Sequence, residues 1–205
     1  MYLPQSFRET RIPTLHDLIR THPLATLVTL TDDGLTANHI PMLVDPDPQP
    51  FGTLVGHVAR GNSVWRADGP ALAIFTGPEH YISPSWYPEK QEHGKVVPTW
   101  NYAVVHAHGR LRIHDDRDWL LRLVTRLTNT HEAQFEQQWK VADAPADYIE
   151  TLLKGIVGIE LRIDKLEGKW KMGQNRSESD RAGAAGALRQ LGEEGVAAFM
   201  TPQKT

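Results

Sequence analysis

The sequence predicts a β-barrel with flanking helices, an α+β chain folded as one domain. Three observations lead there. About six short runs rich in β-branched and apolar residues, bounded by Gly, Pro, Asn or Asp, read as strands. Helical patterns lie between and after them, as in barrels decorated by helices. The 205 residues, 40% of them hydrophobic, supply enough material for a sizeable core.

The elements are taken in chain order. Thr14 is placed to cap a short helix in which Leu15, Leu18 and Ile19 share a face, ending near Pro23. LATLVTLT is a buried strand, and Asp33-Gly34 signals a hairpin that returns LTANHIPMLV antiparallel to it. Pro41 marks this second strand as an edge or a bulge. DPDPQPFG, residues 45 to 52, is a proline-rich loop, and TLVGHV a third strand that leaves through GHVARGNSVW into a short helix ending near Trp65. PALAIFTG is a fourth strand. HYISPSWYPEKQEHGK reads as a long aromatic loop, of the kind that often carries function.

VVPTWNYAVVHAHGRLRI is a long strand with two unlike faces. Ala103, Val105, Ala107, Leu111 and Ile113 point one way, while Trp100, Tyr102, His106, His108, Arg110, Arg112 and His114 point the other. The second face suits an interface or a ligand wall. Helices are expected over 116–130, capped by Asp115 or Asp116, and over 145–154. IVGIELRI is a last core strand, KLEGKWKM a hairpin arm across Gly168, and Ser177 with Asp180 a capping box for a final helix rich in Ala and Gly.

Composition excludes several classes. A net charge of -3 with 23% charged residues lacks the basic excess of a dedicated nucleic-acid binder. Without cysteine there are no disulfides, thiolate metal sites or cysteine nucleophiles. No apolar run reaches signal-peptide or bilayer-spanning length, so a cytoplasmic protein without membrane contact is expected. No GxGxxG, Walker loop, nucleophile elbow or HExxH is present, nor a helix-turn-helix. His106 and His108 share a face, but no third ligand stands near them in sequence, and no metal is expected.

Two segments could hold an anion. In GHVARGNSVW, Arg60 offers a bidentate charge, and Asn62 and Ser63 offer neutral donors where a helix would begin. On the segment alone, a capped turn with a solvated arginine is the stronger reading, since Gly-Asn-Ser turns are common. GKWKMGQNRSESD gathers Lys169, Lys171, Gln174, Asn175 and Arg176 ahead of a capped helix, and a solvated basic turn is the competing reading there.

ANHIPMLV, GHVARGNSVW, HYISPSWY, VPTWNYAVVHAHG and KMGQNRSESDRAG occur in the order and at about the spacing of the PaiB-like FMN-binding transcriptional regulators. The chain resembles that family from MYLPQSF to the C-terminal helix. The resemblance implies an FMN-binding split barrel related to the pyridoxamine-phosphate-oxidase-like flavoproteins, one domain over residues 1–205 with a C-terminal helical extension. It also implies a homodimer with a flavin site at each end of the interface. It puts Arg60, followed by Asn62 and Ser63, at the flavin phosphate, with His57 just before them. Asn38, His39 and Ile40 fall along the flavin ring, and Trp100 and Asn101 approach from the interface strand. Where the wider superfamily often carries Ser-Arg-Lys, this chain has Ala59-Arg60-Gly61, so that one cation and one hydroxyl are missing and Lys171 is a candidate to compensate.

The implied function is a regulatory, non-enzymatic flavin protein, with DNA as a partner by resemblance only. The alternative is a flavin- or haem-dependent oxidoreductase of the same superfamily, in which His39, His57, His106 and His108 would carry protons or bind haem. A ligand-binding module that has lost its flavin is the third possibility.

Overall fold

The computed structural model describes residues 1–31, 34–67 and 69–200. Asp33 of the Asp33-Gly34 turn signal lies outside the described residues. Within them the elements are β1 (Arg8–Glu9), α1 (Ile12–Thr21), β2 (Leu24–Thr31), β3 (Gly34–Pro41), β4 (Leu43–Asp45), β5 (Thr53–Ala59), β6 (Pro70–Ile82) and α2 (Glu89–His93). They continue with β7 (Thr99–His114), α3 (Arg117–Glu132), α4 (Ala146–Lys154), β8 (Ile156–Lys171), α5 (Glu178–Gln190) and α6 (Glu194–Met200). The strands form one sheet in the order β3-β2-β6-β7-β8-β5-β4, with β1 paired to β8. Two compact units share the chain: one holds Ile19–Phe75 and His106–Leu166, the other Met1–Leu18, Thr76–Val105 and the residues from Glu167 onward.

In the unit built from Ile19–Phe75 and His106–Leu166, β2 and β3 form the expected antiparallel hairpin, with Ala25 opposite Ile40 and Leu27 opposite Asn38. β2 also pairs with β6, Thr26 opposite Ile74. β3 and β4 stand at the two ends of the strand order, yet only Met42 separates them in the chain. Pro41 is tolerated because β3 is an end strand that has no ladder partner on one side. Gly56 on β5 meets that corner closely, since a Cβ there would lie 2.9 Å from the Pro41 carbonyl oxygen. α3 presents Leu120, Leu123 and Leu127 at three- and four-residue spacing, and Leu123 and Leu127 pack with Val55, Leu43 and Trp119. Asp116 caps it, accepting from the Trp119 backbone N–H at 2.8 Å.

In the other unit, β1 pairs with β8 through Arg8 opposite Lys169 and Glu9 opposite Gly168. Leu15 of α1 is buried against the open side of Gly168, where a Cβ would lie 2.2 Å from its Cδ2. α5 and α6 bury Ala184, Leu188, Val196, Ala197 and Met200. Gly183 brings α5 within 2.4 Å, measured from its notional Cβ, of the Trp86 carbonyl oxygen.

Several expected boundaries differ. α1 starts at Ile12 rather than after Thr14, because Pro13 is pre-set for a first helical turn. The 80–95 loop is largely regular: β6 runs through Ile82, Pro84–Trp86 is a 3₁₀ turn capped by Ser83, and α2 closes on Gly94 at φ 66°. β8 is one sixteen-residue strand and not a strand plus a hairpin arm, since Gly168 is held extended by Glu9 and makes space for Leu15. The final helix is two, separated at Gly192 with φ 81°.

One close approach in the first-described unit can be tested. A Cβ on Gly158 would sit 2.2 Å from the Trp119 ring, which stacks on His114 with centroids 4.0 Å apart. His114 in turn meets Glu160 at 3.0 Å. Gly158→Ala is expected to lower stability by about 1–3 kcal/mol through overpacking. Gly61→Ala, with nothing within 4 Å of its notional Cβ, serves as the near-neutral control. Urea denaturation midpoints of the two variants give the comparison.

Candidate functional site

β5 ends at Ala59, and the chain turns there because the Asn62 N–H closes onto the Ala59 carbonyl at 2.8 Å. The turn leads into a four-residue 3₁₀ segment, Ser63–Arg66, too short to carry an α-helical dipole. Asn62 does two jobs. Its Oδ1 accepts from the Val64 N–H at 2.9 Å, and its Nδ2 donates to Asn38 Oδ1 at 2.7 Å, joining the turn to β3. Ser63 is exposed at the start of the 3₁₀ segment.

Arg60 reaches the other way. Its backbone N–H donates to Gly155 O at 2.8 Å and its Nε to Lys154 O at 2.9 Å. The terminal nitrogens donate to Ile156 O at 3.0 Å and to both carboxylate oxygens of Asp115. The expected charged clamp is therefore engaged with a carboxylate and two carbonyls. The sequence offered Asp115 and Asp116 as alternative caps; Asp116 caps α3, and Asp115 holds Arg60. Hydrogen bonding from Arg60 keeps the Asp115 carboxyl below the usual aspartate range.

Asn38 and Ile40 share one face of β3, and His39 is exposed on the other. Ile40 lies 3.4 Å from the notional Cβ of Gly56, next to His57. Two polar atoms here are buried yet have no hydrogen-bond partner among the described residues: Asn38 Nδ2 and His57 Nδ1. Burial pulls the His57 imidazole below the ordinary histidine range, so it is neutral at pH 7. Asn38, Ile40, His57, Arg60, Asn62 and Ser63 thus fall in one unit, with a direct bond between Asn38 and Asn62. Two larger hollows in that unit, about 330 and 390 Å³, border Arg126, which is paired with Asp45, and contain none of these residues.

Trp100, Asn101 and Lys171 fall together in the other unit. The Lys171 ammonium donates to Thr99 Oγ1 and, at 2.7 Å, to Trp100 O. Asn101 is buried, its Nδ2 3.4 Å from Met200 Sδ. Trp100 is 46% exposed, its indole N–H donating to Glu79 and its ring edge-on to Tyr81. Asn101 and Lys171, with Tyr87, Asn175 and Arg176, line a cavity of about 220 Å³. The sequence singled out Asn175 and Arg176 but not Tyr87, which lay in the segment read as a loop. The predicted two-faced pattern of β7 holds in its apolar half and at its ends: Ala103, Val105 and Ala107 are buried, while Trp100 and Arg110 are exposed. Among the described residues, no cluster of three or more His, Asp or Glu side chains could hold a metal. No helix of the described residues is long and apolar enough to cross a bilayer.

Since the folded His57 value lies below the unfolded one, the unfolded chain binds the extra proton. The stability His57 protects is present above the ordinary histidine pKa and is lost as pH falls through the folded value. His57→Gln is expected to flatten the fall in unfolding free energy below about pH 6.5. Denaturation series at stepped pH, with an NMR titration of the His57 ring, check both halves.

A family model described as "Putative FMN-binding domain" matches residues 1–165. An uncharacterised protein of Emericella nidulans is 34% identical over 232 residues, covering 95% of this chain and 92% of the relative. Protease synthase and sporulation protein PAI 2 of Bacillus subtilis is 30% identical over 183 residues, covering 88% and 85%. Among solved structures, the FAD and heme binding protein from Mycobacterium smegmatis superposes with a TM-score of 0.60 at 20% identity, over 80% of this chain and 73% of that one. The flavocytochrome Anf3 from Azotobacter vinelandii does so with a TM-score of 0.59 at 12% identity, over 86% and 75%. At such identities the two structures bear on the fold alone, and the fold is the split barrel that the sequence predicts.

Proposed function

We propose a function from one premise: this chain belongs to the FMN-binding domain family whose model spans its first 165 residues. On that premise the chain binds FMN and serves as a regulator of the PaiB type, acting as one domain over residues 1–205 with α5 and α6 as its helical extension. The observation that carries the reading is the pair of orphaned polar atoms, Asn38 Nδ2 and His57 Nδ1, beside the turn that leaves β5. A buried polar group without a partner is costly, and a bound ligand is one way to satisfy it.

The donor set fits a flavin. Asn38 Nδ2 suits a ring carbonyl, and His57 Nδ1 can donate or accept according to its tautomer. Ile40 supplies apolar contact on the same face as Asn38. Asn62 holds Asn38 in place, while Ser63 and Arg60 offer a hydroxyl and a charge to the phosphate, the latter in competition with Asp115. His39, exposed on the opposite face of β3, and Trp100 and Asn101, in the other unit, stay outside this donor set. When bound, FMN would supply one- and two-electron redox chemistry; the protein's part is to bind and orient it.

The regulator works as a homodimer in the cytoplasm, the exposed Trp100 and Tyr81 suiting an interface. DNA is the proposed partner. Its binding would weaken as salt rises, because neutralised phosphates release counterions.

Flavin fluorescence titration tests the cofactor. Asn38→Leu is expected to weaken FMN binding by about 1 kcal/mol, roughly a fivefold rise in Kd, with the fold retained by circular dichroism. An absorbance spectrum that FMN leaves unchanged would sink the proposal. Steady turnover of a reduced nicotinamide, without salt-dependent promoter binding, would instead favour the oxidoreductase alternative.

A further inference from the structure

The cavity of about 220 Å³ in the unit containing Thr76–Val105 lies outside the residues matched by the family model at its β8 end, where Lys171, Asn175 and Arg176 line it. Its remaining walls include Thr99, Asn101 and Tyr87. None of the residues lining it is acidic. An ammonium has three N–H donors; Lys171 spends two, on Thr99 Oγ1 and Trp100 O, both neutral oxygens. Arg176 places its guanidinium 5.0 Å from the centre of the Tyr87 ring and also interacts with the Tyr87 side-chain oxygen, a partner that carries no charge at neutral pH. Neither cation is paired with a carboxylate among the described residues. The nearby Asp180 carboxylate is fully buried and accepts from the Glu89 N–H at 3.2 Å.

We infer that this cavity is an anion site, which receives the phosphate or carboxylate group of a small ligand between Lys171 and Arg176. Two cations of one sign facing a concave, partly dry space attract an anion more strongly than either would on an open surface. The amides of Asn101 and Asn175 add neutral polar groups at the wall. The turn is shaped for the purpose: Gly173, at φ 79°, reverses the chain after β8, and the Arg176 N–H closes onto the Gly173 carbonyl at 2.9 Å. That reversal brings Lys171 and Arg176, five positions apart, to the same hollow. Burial already pulls the Lys171 ammonium below the usual lysine range, the response of a cation that lacks a counter-charge. At about 220 Å³ the space is below the roughly 300–1,000 Å³ of sites for whole drug-sized ligands, and suits an acidic group better than an entire cofactor.

The inference stands apart from the flavin reading, and a chain that failed to bind FMN would leave it intact. Titration calorimetry with inorganic phosphate at constant ionic strength is the test. Wild-type protein is expected to show saturable binding, and Arg176→Gln and Lys171→Met to lose roughly tenfold or more in affinity. Arg176→Lys, which keeps the charge, should retain part of it. Circular dichroism identifies a variant that has not folded, and Arg176→Gln, at the cavity's partly exposed rim, serves alone if Lys171→Met fails. Absence of saturable phosphate binding by the wild type, or unchanged affinity in both variants, overturns the inference. Parallel titrations with FMN and riboflavin identify the source of the anion. A loss confined to FMN in Arg176→Gln assigns the acidic group to the flavin; a loss of phosphate binding with both flavins unaffected assigns it to a second ligand. Either result supports the site.

Discussion

The geometry of the turn after β5 depends on one residue, Arg60. The register of β5 against β8 ends with Ala59 opposite Ile156, and at that point two strands would ordinarily splay. Arg60 prevents it with its backbone N–H on Gly155 and its guanidinium on Lys154, Ile156 and Asp115. The exit of β5, the end of α4 and the approach to α3 are thereby tied to one side chain. With the first residue of the turn anchored, the others have little freedom: the Trp65 indole N–H donates to Arg60 O at 3.0 Å, and Asn62 bridges to β3. A turn held this way loses little further entropy when a ligand arrives, which is the physical content of a preorganised site.

The same anchoring explains why Asn38 Nδ2 can stand buried without a partner. Asn62 fixes the Asn38 carboxamide by its oxygen, which dictates where its amino group points. Rotating the amide to satisfy the donor elsewhere would break the bond to Asn62. A group unsatisfied under such constraint marks where the fold forgoes a hydrogen bond that something else can provide. His57 is in a similar position for a different reason: it sits on β5 opposite Gly158, which has no side chain to offer its imidazole a partner across the ladder.

How much of this was legible in the sequence depends on the range of each interaction. The apolar face of β7, the β2–β3 hairpin and the Asp116 and Ser177 caps are local patterns, and they appear where the sequence predicts them. Long-range partners could not be read this way. Nothing near Arg60 indicates that its charge meets Asp115, 55 positions on, and the Asn62–Asn38 bond joins residues 24 apart. Gly168 misled for the same reason: a glycine in a polar run is a turn signal, and only Leu15, distant in sequence, shows that its missing side chain is a packing requirement. Asn38, His39, Ile40, Trp100 and Asn101 were singled out through family resemblance, since no local pattern distinguishes them. Their clustering into two groups belongs to the tertiary structure.

The distribution of cations sharpens the chemistry of both groups. Ala59-Arg60-Gly61 holds one basic residue, and that residue is already balanced by Asp115. An anion approaching it must share or displace a carboxylate held by charge-assisted bonds, which are roughly twice as strong as neutral ones. Lys171 and Arg176 carry no such competitor, only neutral oxygens and an aromatic face. An arginine neutralised by a carboxylate acts chiefly as a brace, whereas two uncompensated cations lining a hollow have their strongest interaction still to make. The balanced arginine at the turn after β5 is thus accompanied, elsewhere in the same chain, by positive charge that the fold gathers and leaves without a carboxylate among the described residues.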